Sequence, residues 1–150
     1  MKNLKVELKI IGVIHSPYKT TNEAPPQGKN EKIKLEIYPE YQKGLKDIEG
    51  FSHLHIFYWL HESKDYNLDV LTPWDAEKHG LFTTRSPHRP NPLAHSVVKL
   101  LKKEKNILTV RGLDAIKGTP IIDIKPYIKN LDLFENSYEG WIKDKELKSH

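Results

Sequence analysis

The amino-acid sequence predicts an all-β, mainly antiparallel fold, a small barrel or sandwich with one or two short helices. Three observations carry that expectation. Six or seven short segments show the period-two alternation or the short apolar runs of strands. Proline-rich and polar turns separate them, and the long helices that parallel crossovers require are missing. There is neither a Gly-x-Gly-x-x-Gly turn nor a phosphate loop ending in Gly-Lys-Ser/Thr, which argues against the doubly wound nucleotide-binding sheets.

The elements follow in chain order. Leu4, Val6 and Leu8 alternate with Lys5, Glu7 and Lys9, and the chain then turns apolar through Ile14, so a strand is expected over residues 4–14. A turn-rich loop follows to Asn30, with Pro25-Pro26-Gln27-Gly28 near its centre; a loop longer than about 12 residues in a compact domain is usually functional or disordered. Residues 32–38 alternate again and make a half-buried strand. From Pro39 to Ile48 the period changes: Tyr41, Leu45 and Ile48 share a helical face, Pro39 suits a first turn, and a short helix is expected. Residues 51–61 are aromatic and apolar on both faces, the signature of the most deeply buried strand.

Residues 62–79 read as an irregular polar loop, and Gly80 to Thr84 as a short strand. Residues 93–102 and 107–113 form a hairpin about the turn Lys103 to Asn106. Asp114 to Pro120 is a second turn, and Ile121 to Tyr127 a last strand, followed by a tail with one short helical candidate over 138–147. A barrel domain over residues 1–130, with 131–150 as a tail of the same domain, accounts for the whole chain.

Composition narrows the chemistry. Twenty-four Lys and Arg stand against 20 Asp and Glu, a net charge of +4, which permits an RNA or phosphate-bearing partner without requiring one. The absence of cysteine excludes disulfides, thiolate metal sites and a cysteine nucleophile. Charges interrupt the apolar N-terminal residues, and no run reaches the roughly 18 apolar residues of a membrane span, so a soluble, cytoplasmic protein is expected.

The stretch from Leu81 to Val98 holds three prolines, two arginines and two histidines between two expected strands. Prolines this close stiffen the path, and arginine forks with a titratable ring suit an anionic or planar ligand. His53, His55 and His61 lie at odd spacing on one expected strand, but His61 stands roughly 20 Å beyond His55, so at most the first pair could chelate an ion and no metal is expected. Hydrogen-bonded, half-buried histidines are the simpler reading. Asp123 and Lys125 share a strand face, either as a buried ion pair or as a pair aimed at a substrate. No serine lies in a nucleophile elbow.

Four ordered blocks carry a resemblance. Residues 11–18 (IGVIHSPY), 49–54 (EGFSHL), 80–92 (GLFTTRSPHRPNP) and 118–127 (GTPIIDIKPY) resemble the TrmO family, also described as TsaA-like or YaeB-like proteins. The resemblance implies a small non-Rossmann β-barrel that works as a homodimer. It implies an S-adenosylmethionine-dependent methyltransferase acting on the N6 nitrogen of threonylcarbamoyladenosine, beside the anticodon of a tRNA. Carried over by motif, the cofactor residues would be Pro25, Pro26, Gln27, His61, Glu62, Arg85, His95, Asp114, Ala115, Ile116, Lys117 and Gly118. Arg89, Asn91, Lys125 and Tyr127 would meet the substrate, and Asp123 is the candidate general base. The chain departs from the usual family residues at Pro26, Ala94, His95 and Lys117. Two other readings stay open: the same fold methylating another nucleoside or a small molecule, and a non-catalytic RNA-binding barrel that stacks bases on Tyr58, Trp59 or Trp74.

Overall fold

The computed structural model describes residues 2–20, 22–23 and 31–145. Six strands close into an antiparallel barrel: β1 (Gly12–His15), β2 (Lys32–Ile37), β3 (His53–Trp59), β6 (Leu93–Glu104), β7 (Ile107–Arg111) and β8 (Pro120–Pro126). Around the barrel the order is β1-β2-β7-β6-β3-β8, and β8 pairs with both β1 and β3 to close it. β4 (Asp69–Leu71) and β5 (Lys78–Gly80) form a separate hairpin, and α1 (Lys129–Asp132) follows the last barrel strand.

Alternation builds the core. Ile33, Leu35 and Ile37 of β2, Leu54, Ile56 and Tyr58 of β3, Leu108 and Val110 of β7, with Ile14, Val98 and Ile121, all point inward and are buried. Each such apolar side chain contributes about 1.5–3 kcal/mol on burial. The barrel is tight, and two register shifts let its strands bend, one in the β3–β8 pairing between Phe57 and Tyr58 and one in β6–β7 between Leu100 and Lys102. At Gly12 a Cβ would overlap the carbonyl oxygen of Glu36, so β1 approaches β2 there as only glycine allows.

Several local expectations change. The first strand begins at Gly12 rather than residue 4, and Leu4 and Val6 are 67% and 76% exposed; alternation marks a face, but without a neighbouring strand that face has nothing to cover it. The helix expected from Pro39 is two 3-10 turns, Pro39–Leu45 and Ile48–Gly50, broken where Asp47 takes a left-handed φ of 71°. Its apolar face is as expected, since Tyr41, Leu45 and Ile48 pack on the core.

β3 is buried on one face only, not on both. Residues 62–79 hold β4 and most of β5 in place of an irregular loop. Residues 81–83 are a 3-10 turn rather than a strand, because the Thr83 and Thr84 hydroxyls donate to the carbonyls of Gly80 and Leu81 and so compete with strand pairing. The turn between β6 and β7 is tighter than expected, since β6 runs on to Glu104. In the tail, a 3-10 turn at Gly140–Ile142 replaces the expected helix, whose last residues lie outside those described. No helix among the described residues is long and apolar enough to cross a membrane.

Candidate functional site

The outer face of β8, β3 and β6 gathers residues from distant parts of the chain. Register sets Phe57 between Asp123 and His95, and His55 between Lys125 and Val97. Leu54, Ile56 and Tyr58 point inward, so period two turns His53, His55, Phe57 and Trp59 out onto this face, half-buried. The rings stack: His95 lies 4.9 Å from both His55 and Phe57, and Tyr127 lies 5.5 Å from His55.

Within the stack runs a hydrogen-bonded chain. His55 Nε2 is 3.0 Å from Asp132 Oδ2, and His55 Nδ1 is 2.7 Å from His95 Nε2. A carboxylate only accepts, so neutral His55 carries its proton on Nε2 and accepts at Nδ1 from His95 Nε2–H. That leaves the lone pair of His95 on Nδ1, free to take a proton. The charges suit this. The Ile128 backbone N–H, donating at 2.7 Å, and then His55 hold the Asp132 carboxyl below its usual range. Burial, then the nearby charges of His55 and Arg85, lower His95 from its ordinary 6.5 against the opposing pull of Asp132, which favours the neutral base.

Arg85 is thus close enough for its charge to act on His95, and the hallmark loop explains its exposure. Thr84 and Ser86 are buried while Arg85 between them is exposed, so the backbone aims its guanidinium outward. Arg89 bends back instead, with Nη1 donating to the carbonyls of Thr84 at 3.0 Å and Ser86 at 3.1 Å. Its fork holds the loop in shape. The Ser63 hydroxyl donates to Pro87 O at 3.0 Å and Leu60 N–H donates to Pro92 O at 2.8 Å, which brings exposed His61 and Glu62 against the same loop. Asn91 is exposed just before β6. From the tail, Trp141 Nε1 donates to Thr83 Oγ1 at 3.0 Å and its ring stacks on His79 at 3.7 Å.

A second cluster sits on the inner side of β6. Tyr58 Oη donates to Asp114 Oδ1 at 3.2 Å and lies 2.9 Å from Ser96 Oγ. Burial, then the Asp114 charge, raise the phenol well above its ordinary 10, so it stays a donor. Ala115 and Ile116 are buried, whereas Asp114, Lys117 and Gly118 are exposed. The turn is tied back through Lys117 N–H to Tyr18 O at 2.6 Å and Gly118 N–H to Ile14 O at 3.0 Å, and Gly118 takes a φ of 83°.

The residues expected at one site therefore divide. Arg85, His95, Asp123, Lys125 and Tyr127 share the outer face or its edge, His61, Glu62, Arg89 and Asn91 belong to the adjoining loops, and Asp114 to Gly118 lie across β6. Pro25, Pro26 and Gln27 lie outside the described residues. The Asp123–Lys125 pair is not buried: its ions are 3.2 Å apart with both side chains at least half exposed. His61 stands past the end of β3, so it shares no strand face with His53 and His55. His53 and His55 are half-buried and hydrogen-bonded, as the simpler reading of the sequence expected, whereas sequence reasoning missed Asp132, whose 77-residue separation from His55 leaves no local signal.

Comparison with known proteins identifies the family. The family model described as tRNA-methyltransferase O N-terminal domain matches residues 13–133. A probable S-adenosyl-L-methionine-binding protein of Archaeoglobus fulgidus is 47% identical over 146 residues, covering 96% of this chain and 40% of that protein. A tRNA (adenine(37)-N6)-methyltransferase of Rattus norvegicus is 39% identical over 108 residues, 70% of this chain and 25% of that enzyme. The crystal structure of TrmO from Pseudomonas aeruginosa superposes with a TM-score of 0.78 at 29% identity, over 91% of this chain and 62% of that one. The chain thus spans well under half the length of these two sequence relatives and about three-fifths of the solved chain.

Proposed function

The chain belongs to the family of the tRNA-methyltransferase O N-terminal domain, and on that premise we propose that it is a methyltransferase that uses S-adenosylmethionine to modify N6 of an adenosine in tRNA, the threonylcarbamoyladenosine beside the anticodon. The observation that carries the reading is the Asp132–His55–His95 chain with exposed Arg85 beside it. A urea-like nitrogen is a poor nucleophile, and a neutral imidazole with its lone pair exposed is the group that relieves it of a proton.

The donor set suits the cofactor. Arg85 offers a guanidinium fork for a carboxylate, and Asp114, its carboxylate exposed at the barrel end, offers an acceptor for ribose hydroxyls or an ammonium. When bound, S-adenosylmethionine supplies a methyl group on a sulfonium, ready for in-line transfer. His95 Nδ1 takes the proton from the acceptor nitrogen, and its Nε2–H shares the resulting charge with His55 and Asp132. The Phe57 ring, packed on His95, offers an apolar face on which a planar base can stack while His95 Nδ1 meets the acceptor nitrogen edge-on. Lys125 and Tyr127 at the edge of the face suit the threonyl carboxylate, and Asp123 keeps Lys125 in place. His95 replaces Asp123 as the base in this reading, since Asp123 already accepts from Lys125 and from Ile124 N–H.

In this reading the protein acts in the cytoplasm and pairs as a homodimer; exposed Phe82, Leu93 and Val97 flanking the face support the pairing. The test is transfer of a labelled methyl group from S-adenosylmethionine to total tRNA, read by nucleoside mass spectrometry. Arg85→Ala is expected to lower transfer with an unchanged melting curve; a protein that binds no S-adenosylmethionine and labels no tRNA sinks the reading.

A further inference from the structure

The outside of β2, β7 and β6 carries a row of cations that the methyl-transfer chemistry does not use. Register sets Lys32 opposite Arg111, Arg111 opposite Lys99, and Lys99 opposite His53. One lateral row therefore crosses four strands. Ile33, Val110, Val98 and Leu54, the neighbours of these residues in sequence, are fully buried, so the row faces outward. Lys34, Thr109 and Lys102 form the next row.

Like charges directly opposite each other on paired strands repel. No carboxylate among the described residues forms an ion pair with Lys32, Arg111 or Lys99; Glu104 pairs with Lys102, Glu49 with Lys103 and Glu36 with His15. Arg111 is half-buried, and its Nε is buried with no acceptor. A guanidinium whose Nε is cut off from water between two lysines is unfavourable unless an anion joins it.

We propose that the Lys32–Arg111–Lys99 row binds the phosphate backbone of an RNA strand and leads it to the His95 face. Strands lie about 4.8 Å apart, so the three cations present an arc of charge around the barrel wall, of the kind that suits a polyanion with repeated charges. The row ends at His53, whose ring packs 6.2 Å from Tyr127, and Tyr127 in turn lies against His55. A strand following the cations therefore arrives where the stacked rings and the free imidazole nitrogen are. The inference rests on the RNA substrate proposed above.

The experiment measures tRNA affinity against salt for the wild type, for Lys32→Glu/Lys99→Glu, and for the control Lys43→Glu/Lys46→Glu, which makes the same charge change on the exposed 3-10 turn after β2. The row variant is expected to bind tRNA roughly tenfold or more weakly and to lose about 2 from its log–log salt slope. The control should keep both. S-adenosylmethionine affinity should be unchanged, and the row variant should melt no lower than the wild type, because glutamates now flank Arg111. Equal losses in both variants, no loss in either, or a wild type without tRNA affinity overturns the row. Methyl transfer to tRNA, measured on the same proteins, judges the enzymatic reading separately: full transfer with an unchanged KM for tRNA in the row variant overturns the row and leaves the enzyme standing. If the double glutamate variant fails to fold, Lys32→Gln/Lys99→Gln replaces it with the same weakening expected.

Discussion

The two faces of β3 differ in almost everything except their backbone. Inward, Leu54 and Ile56 are wholly buried and hold the barrel closed. Outward, His53, His55 and Phe57 are half-buried and packed ring against ring, and His55 is hydrogen-bonded to His95 of β6 and Asp132 of α1. One strand thus closes the barrel on one side and carries the candidate site on the other. The side-chain period of two makes such a division possible, because a residue can change on one face without altering the other.

Breaking the inner face should give the largest effect. Ile56→Ala is expected to cost about 2–5 kcal/mol of stability, read from the denaturant midpoint; a loss no greater than that of an outer-face substitution would erase the distinction between the faces. On the outer face, His95→Ala should lower methyl transfer about 100-fold with little change in the unfolding midpoint, and added imidazole should restore part of the rate. A drop in stability matching that of Ile56→Ala would make His95 structural instead.

Tyr58→Phe probes the residue of β3 that joins both roles. The hydroxyl is part of the buried bridge to Ser96 and Asp114, and its loss is expected to cost about 1 kcal/mol, together with weaker S-adenosylmethionine binding in a titration. An unchanged affinity would separate Asp114 from the cofactor.

The smallest effect is in the pH profile. Under the proposed mechanism neutral His95 is the active form, and its lowered pKa is expected to carry activity below pH 6.5, with loss as pH falls through the folded-state value. The same shift makes its contribution to stability present above 6.5 and lost as pH falls through that value. Arg85→Gln removes a charge that lowers the pKa, so the acid limb of kcat/KM should move up; Asp132→Asn removes one that raises it, so the limb should move down. Movement of both in the same direction would contradict the electrostatic account.

Much of the barrel could be read from alternation. β2, β6, β7 and β8 stand close to where their apolar periods put them, because a half-buried strand imprints its two faces on neighbouring residues. Leu4 to Leu8 carry the same imprint without a partner strand, and Thr83 and Thr84 carry strand-like chemistry that their hydroxyls turn into a 3-10 bend. Arg85 was found from the odd composition of its loop and its family motif. His55 was noticed for its imidazole but not its role, and Asp132 was not noticed at all.

By itself the sequence determined the all-β class, the absence of a glycine cradle for phosphates, and the stiff arginine loop, since each is a property of residues close together in the chain. Only tertiary structure decided that β8 closes the barrel against β1, that α1 brings Asp132 onto His55, and that Lys32, Arg111 and Lys99 stand in one row. Those arrangements depend on register between strands and on where a distant segment docks, and no local pattern of side chains encodes a partner 77 residues away.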